Sequence, residues 1–84
     1  MPTLVVEERF DPPVDVSKVN PYIEKLSPCL PSYEVKWVAS FLAADGSRCV
    51  CVYDAPSADA VRQAYRSAGV PFTAVWPATH YHAG

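Results

Sequence analysis

The chain has 84 residues, half of them apolar, with seven Lys and Arg against nine Asp and Glu and a formal charge of −2. This length predicts one small domain with a modest core, and we expect a homodimer. The scattered basic residues argue against a nucleic-acid partner, and no apolar run approaches the roughly 20 residues that cross a bilayer. We therefore expect no membrane association. Three cysteines without a CxxC pair are typical of a reducing compartment, so we expect a cytoplasmic protein.

The first predicted elements are a strand and an interrupted helix. Residues 3–10 are rich in β-branched and aromatic side chains and are followed by prolines, which predicts a strand that ends there. Apolar residues then recur at helical spacing, and Asp15 can cap the helix. Pro21 interrupts it, and Asn20 is a good N-cap, so a second helical piece is predicted over residues 21–27. The predicted apolar face consists of Val16, Val19, Ile23 and Leu26.

A β-hairpin is the strongest local signal. Two strand-forming runs, residues 33–43 and 47–54, flank Asp45-Gly46, which favours a tight turn because both residues tolerate positive φ. With these two at the centre of the turn, Ser40 lies opposite Cys51. We expect one face to pack against the helices, namely Trp37, Ala39, Phe41, Val50 and Val52. The other face is expected to be free of helices and carries Lys36, Val38, Ser40, Leu42, Cys49, Cys51 and Tyr53, although a slip of one residue would exchange the two sets.

The remaining elements complete the fold. Ser57 is predicted to cap a second helix that ends at Gly69, and residues 72–79 form a last strand in which Pro77 indicates an edge position or a bulge. The order strand, helix, strand, strand, helix, strand predicts a ferredoxin-like α+β fold, with two helices on one face of a four-stranded antiparallel sheet. We interpret residues 1–79 as this single domain and residues 80–84 as a C-terminal tail. The helix-free face is expected to pack on a second copy as a dimeric α+β barrel, or to hold a ligand.

Four stretches carry a family resemblance: the Lys-Trp-Val-Ala-Ser-Phe run at residues 36–41, and residues 49–57, 60–62 and 68–71. Over residues 5–76 the chain resembles a small bacterial domain-of-unknown-function family typified by a nickel-responsive, nickel-binding protein. The resemblance implies a ferredoxin-like dimer and, as cofactor, nickel or another transition metal. Members of that family carry histidine after the Trp-Val pair and at the end of the first strand, where this chain has Ala39 and residues 7–10 without imidazole.

Two pairs of potential metal ligands are spaced two residues apart, Cys49 with Cys51 and His80 with His82. Alternate residues of a strand share a face, so each pair can offer two ligands to one ion. In the expected sheet the pairs lie about 10 Å apart, so one ion joins them in a monomer only if the tail folds over. We predict a metal site from these four residues; the alternative is structural cysteines and a disordered tail.

The candidate ligand site is the helix-free sheet face. The residues proposed for it are Glu8, Lys36, Ser40, Cys51, Tyr53 and Trp76. This predicts a small ligand- or metal-binding module, with no catalysis assigned. The alternative is a cofactor-free enzyme of the isomerase, cyclase or oxygenase type, in which Glu7 or Glu8, buried on that face with a raised pKa, transfers a proton.

Overall fold

The computed structural model describes residues 1–18 and 20–83, which form a four-stranded antiparallel sheet covered by helices on one face. The elements are β1 (Thr3–Arg9), α1 (Pro21–Leu26), β2 (Lys36–Leu42), β3 (Arg48–Asp54), α2 (Ala58–Ala68) and β4 (Ala74–Ala78), with 3₁₀ turns at Ser27–Cys29 and Pro31–Tyr33. The strand order β2-β3-β1-β4 confirms the predicted ferredoxin-like fold and puts β4 at an edge. Among the described residues, neither α1 nor α2 is long and apolar enough to cross a membrane.

The first helix is shorter than its apolar pattern indicates. It begins after Asn20, whose side-chain oxygen accepts a hydrogen bond from the Tyr22 N–H at 2.9 Å, as the second helical piece requires. Asp15 accepts hydrogen bonds from the Ser17 N–H and hydroxyl, so residues 15–18 form a local turn and the prediction of a helix capped by Asp15 is wrong. Val19, on the predicted apolar face, lies outside the described residues.

The second helix begins and ends where the sequence predicts. The Ser57 hydroxyl accepts a hydrogen bond from the Ala60 N–H at 3.2 Å, which satisfies one of the free donors of the first turn. At the other end Gly69 has a φ of 69°, the left-handed conformation that commonly ends a helix. Between these caps, Val61, Ala64 and Tyr65 are buried against the sheet, as expected for an amphipathic helix.

The hairpin register agrees with the prediction beside the loop. Ser40 lies opposite Cys51, and Leu42 lies opposite Cys49. The loop is longer than the predicted two-residue turn, because the bond from the Ala43 N–H to the Arg48 carbonyl oxygen at 2.8 Å encloses four residues, 44–47. The register is unchanged because the extra residues are shared equally by the two sides of the loop.

A bulge in β2 changes the pairing at the far end of the hairpin. The register shifts between Trp37 and Ala39, so that Trp37 lies opposite Tyr53 and Lys36 opposite Asp54. The extra residue, Val38, therefore puts the Trp37 side chain on the same face as Tyr53. Trp37 contacts the helical side as predicted, but only because of this bulge, and it remains 49% exposed.

The helices cover the face of the sheet opposite to the predicted one. Cys49, Cys51 and Tyr53 are buried in the core, whereas Phe41, predicted to be a core residue, is 67% exposed. Because both faces of β3 are apolar, hydrophobic alternation does not distinguish them, and pairing with β1 decides. In the structure the helix-free face is therefore a different set of residues from the predicted one. It carries Val5, Glu7, Arg9, Lys36, Phe41, Arg48, Val50, Val52 and Trp76.

Gly46 lies where the loop after β1 crosses the hairpin. Its φ is 76°, and a Cβ atom there would overlap the Val14 carbonyl oxygen. In this arrangement the Val14 N–H donates to the Gly46 carbonyl oxygen at 3.0 Å, and the Phe10 N–H donates to that of Ser47 at 2.8 Å. Glycine is required here both by the backbone conformation and by the close approach of the loop.

Candidate metal centre

A buried cluster of three potential metal ligands lies between the sheet and the helices. It consists of Glu8 on β1 with Cys49 and Cys51 on β3, and their ligand atoms all lie within 4.8 Å of one another. Glu8 is directly opposite Cys49, and Cys51 is two residues farther on the same face. Strand pairing and the two-residue period of a strand therefore bring together groups that are about forty residues apart in sequence.

The spacing within the cluster matches the edges of a tetrahedral site. The Cys49 and Cys51 Sγ atoms are 3.6 Å apart, and Cys51 Sγ is 3.6 Å from Glu8 Oε1. With Zn–S bonds of about 2.3 Å, two thiolates of a tetrahedral zinc site lie about 3.8 Å apart. A void of about 10 Å³ touches all three side chains and Asn20, close to the smallest volume that holds one water molecule.

Hydrogen bonds hold the carboxyl group of Glu8 from the side of the helices. The Tyr65 hydroxyl donates to Glu8 Oε1 at 2.6 Å. Because the hydroxyl proton of Tyr65 is used in the bond to Glu8, the Tyr53 hydroxyl is the donor in its 2.7 Å hydrogen bond to the Tyr65 oxygen. Such outer partners fix the orientation of a ligand and are a regular part of metal sites.

A second chain of hydrogen bonds reaches the cluster from β2. The Trp37 Nε1–H donates to Ser40 Oγ at 2.8 Å, and the Ser40 hydroxyl donates to Cys51 Sγ at 3.0 Å. In the described residues every buried side-chain nitrogen and oxygen atom has a partner. The cluster is therefore satisfied without an ion, and an ion would replace the contacts among its three members.

Burial and mutual contact shift the pKa values in the cluster. Burial, with a further contribution from negative charge on Cys51, raises the pKa of Glu8 to about 8. The hydrogen bond from the Cys49 thiol, supported by Ser40, lowers the pKa of the Cys51 thiol against the effect of burial, and the same contact raises the pKa of Cys49. At neutral pH the larger fraction of Glu8 thus carries a proton, and Cys51 is the thiol that ionises first.

The structure divides the predicted ligand site between the two faces of the sheet. The helix-covered face holds four of the six residues: Glu8, Ser40, Cys51 and Tyr53. Their predicted position on the helix-free face is wrong, because the faces of β3 are exchanged. Lys36 and Trp76 do lie on the helix-free face, where the Trp76 Nε1–H donates to Glu7 Oε2 at 3.0 Å.

The four predicted metal ligands are not brought together. His80 and His82 lie on the exposed tail with ring centroids 3.9 Å apart, whereas both cysteines are buried. The one group of three metal-binding side chains found among the described residues contains Glu8 in place of a histidine. Tyr65 was not predicted to belong to a site; its polar hydroxyl on the apolar face of α2 is the sequence signal, since a buried tyrosine hydroxyl needs a partner.

Comparisons with known proteins agree with this architecture. A family model described as nickel responsive protein SCO4226-like matches residues 5–77. The chain is also similar to the crystal structure of SCO4226 from Streptomyces coelicolor A3(2), with a TM-score of 0.81 and 12% identity over 95% of this chain and 99% of that one. At this identity the structural likeness shows the fold alone. No curated protein matches the chain significantly.

Proposed function

Because the chain belongs to the nickel-responsive SCO4226-like family, we propose that it is a small cytoplasmic metal-binding module that acts as a homodimer. The buried cluster of Glu8, Cys49 and Cys51 is the observation that carries the metal-binding part. The cysteines of the chain are free thiols, which supports a reducing compartment. Metal binding and dimerisation rest on different faces of the sheet and are tested separately.

The donor set favours a zinc-type ion over nickel. Nickel sites favour imidazole nitrogen, and neither histidine of the tail belongs to the cluster. Two thiolates and one carboxylate are instead typical zinc ligands, and the two 3.6 Å separations fit tetrahedral edges. Three protein ligands leave the fourth position to a water molecule, for which the adjoining void is sized.

Metal binding at this cluster has to displace protons and move a covering element. Glu8 and Cys49 have raised pKa values, so both give up a proton when they bind an ion. The void is covered by Tyr22, Ile23 and Leu26 of α1, a helix of six residues. A helix this short has little stability of its own, so its opening gives an ion a path to the cluster.

We expect the metal-free protein to bind one Zn²⁺ per chain, as measured by calorimetric titration and native mass spectrometry on a tag-free chain. Cys49→Ser and Cys51→Ser should each weaken binding by at least about tenfold, because each removes a thiolate ligand. Cys29→Ser is the matched control and should bind zinc like the wild type, because Cys29 lies outside the cluster. Absence of a stoichiometric ion, or full binding by a Cys49→Ser, Cys51→Ser double variant, would refute the assignment.

The homodimer proposal is supported by the apolar character of the helix-free face. Phe41 is 67% and Trp76 44% exposed, and Val50 and Val52 between them are only half-buried. A chain of 84 residues has a small core of its own, so a second copy on this face adds apolar burial that the monomer lacks. Large exposed apolar side chains grouped on one sheet face are typical of an interface.

We expect sedimentation equilibrium to give a dimer for the wild type and a monomer for Trp76→Glu, since a buried unpaired charge opposes association and Trp76 lies beside the carboxylate of Glu7. Val16→Glu is the matched control: Val16 is a similarly exposed apolar residue in the loop before α1 and should leave the dimer intact. A wild-type monomer at high concentration would exclude this interface and would leave the metal cluster unaffected.

A proton-transferring enzyme is the alternative function, and one observation favours it. A carboxyl group with a pKa near 8, as in Glu8, is suited to proton transfer at neutral pH. The adjoining void of about 10 Å³ is nevertheless far below the roughly 300 Å³ of small-molecule sites. Its size supports an ion or a water molecule beside Glu8 rather than an organic substrate.

A further inference from the structure

Two arginines lie directly opposite each other at the hairpin end of the helix-free face. Arg9 of β1 pairs with Arg48 of β3 in the antiparallel register, and both side chains are exposed. Directly opposed residues have Cβ atoms about 5 Å apart, and like charges at that separation destabilise the sheet. An unfavourable charge pair of this kind suggests a ligand that neutralises it.

Within the described part of the chain neither arginine forms an ion pair. The ion pairs found in the described residues are Lys18 with Asp15 and Arg62 with Asp59, so neither arginine is within salt-bridge distance of a described carboxylate. The acids nearby have other partners. Glu7 accepts a hydrogen bond from the Trp76 indole N–H. Asp45 accepts two hydrogen bonds from Ser47, and the positive charge of Arg48 makes a smaller contribution to lowering its pKa.

The arginines line an open groove of about 430 Å³, a volume in the range of small-molecule sites. Its wall combines the two positive charges with apolar surface from the exposed Phe41 and the half-buried Val50, and Thr73 adds a hydroxyl. Glu7 also borders the groove with its carboxylate. Glu8 and Cys49 contribute to the lining as well, although both are buried in the core on the other face of the sheet. Cationic groups at one end and an aromatic ring beside them are complementary to an amphipathic anion.

We propose that this groove binds a small organic anion, whose carboxylate or phosphate group lies between Arg9 and Arg48 and whose apolar body lies on Phe41 and Val50. Planar guanidinium groups suit both anions, because each can donate two parallel hydrogen bonds. The site is distinct from the metal cluster, because Arg48 and Cys49 are consecutive residues of β3 and their side chains point to opposite faces of the sheet. A second copy packed on the helix-free face would cover the groove.

The probe for this site is 2-naphthoate, compared with the neutral 2-naphthamide and with inorganic phosphate, by NMR titration of the full chain at low salt. We expect naphthoate to bind and the amide to bind about tenfold more weakly. Arg9→Gln and Arg48→Gln should each lower naphthoate affinity about tenfold, whereas the control Arg66→Gln, exposed on α2, should not. Competition by phosphate would identify phosphate as an alternative head group, and binding of naphthoate alone would restrict the site to carboxylates.

A second measurement distinguishes a ligand site from an ordinary surface. In the ligand-free protein, Arg9→Gln and Arg48→Gln should raise the midpoint of thermal unfolding by about 2 °C, because each removes the repulsion. At the same concentration naphthoate should raise the midpoint of the wild type by more than those of these variants. Equal affinity for naphthoate and naphthamide, no binding of naphthoate, or unchanged binding in both variants would overturn the proposal. Cys51→Ser should bind naphthoate normally, which separates this result from that of the metal cluster.

Discussion

Replacing Gly46 by alanine is expected to lower the free energy of unfolding by about 4 kcal/mol. Its φ of 76° is left-handed, which costs an alanine about 1–2 kcal/mol. The larger effect comes from the added Cβ, which would overlap the Val14 carbonyl oxygen and displace backbone. That displacement also breaks the hydrogen bond from the Val14 N–H to the Gly46 carbonyl oxygen.

Gly69→Ala is the matched control for this substitution. Gly69 has nearly the same φ, 69°, but apart from its chain neighbours no atom of the described residues lies within 4 Å of an added Cβ. It should therefore lose only the conformational part, about 1 kcal/mol. Urea unfolding of the two variants measures the difference, and equal losses would show that the crossing of the β1–α1 loop over Gly46 is unimportant for stability.

The metal-free protein is expected to lose about 2 kcal/mol of stability as the pH rises from 4.5 to 6. Burial raises the pKa of Glu8 from 4.5 to about 8, so between these values the folded chain keeps a proton that the unfolded chain has lost. The stabilisation is complete below pH 4.5 and is lost as the pH rises toward 8, by at most about 1.4 kcal/mol per pH unit. Asp15 and Asp45 have lowered pKa values and titrate below this range.

Urea unfolding in a chelator at a series of pH values tests the assignment to Glu8. Glu8→Gln should give a flat profile between pH 4.5 and 6, and Cys29→Ser should keep the wild-type decline. The lowered pKa of Cys51 acts in the opposite sense at higher pH, because a thiol that ionises more easily in the folded state adds stability as the pH rises. Cys51→Ala lacks this gain, and its decline should continue above pH 6 because burial, the largest cause of the raised pKa of Glu8, remains. A decline in Glu8→Gln as large as that of the wild type would contradict this account.

Much of the fold could be predicted because its signals are local. Asn20, Ser57 and Gly69 mark helix ends through the hydrogen bonds and conformations that they favour. Asp45 and Gly46 define the centre of the hairpin closely enough to give the pairing of Ser40 with Cys51. Once the order of the strands and helices along the chain is known, the rule that crossover connections are short and right-handed leaves few sheet topologies.

The candidate site was harder to predict because it depends on which face of each strand is covered. In β3, cysteines and a tyrosine alternate with valines, so both faces are apolar and local pattern does not choose between them. The pairing of Glu8 with Cys49 joins distant parts of the chain and leaves no local signature. The cysteine pair was identified from its spacing, but its third partner became evident only from the packing of β1 against β3.

The bulge at Val38 gives the two indoles of the chain different surroundings. Trp37 is turned toward α1 and hydrogen bonds to Ser40, which contacts Cys51, whereas Trp76 lies on the other side of the sheet bonded to Glu7. Each side of this thin sheet thus carries its own intrinsic fluorophore. In a Trp76→Phe variant the light emitted by Trp37 reports on the thiols, and in a Trp37→Phe variant the light emitted by Trp76 reports on whatever covers the opposite surface.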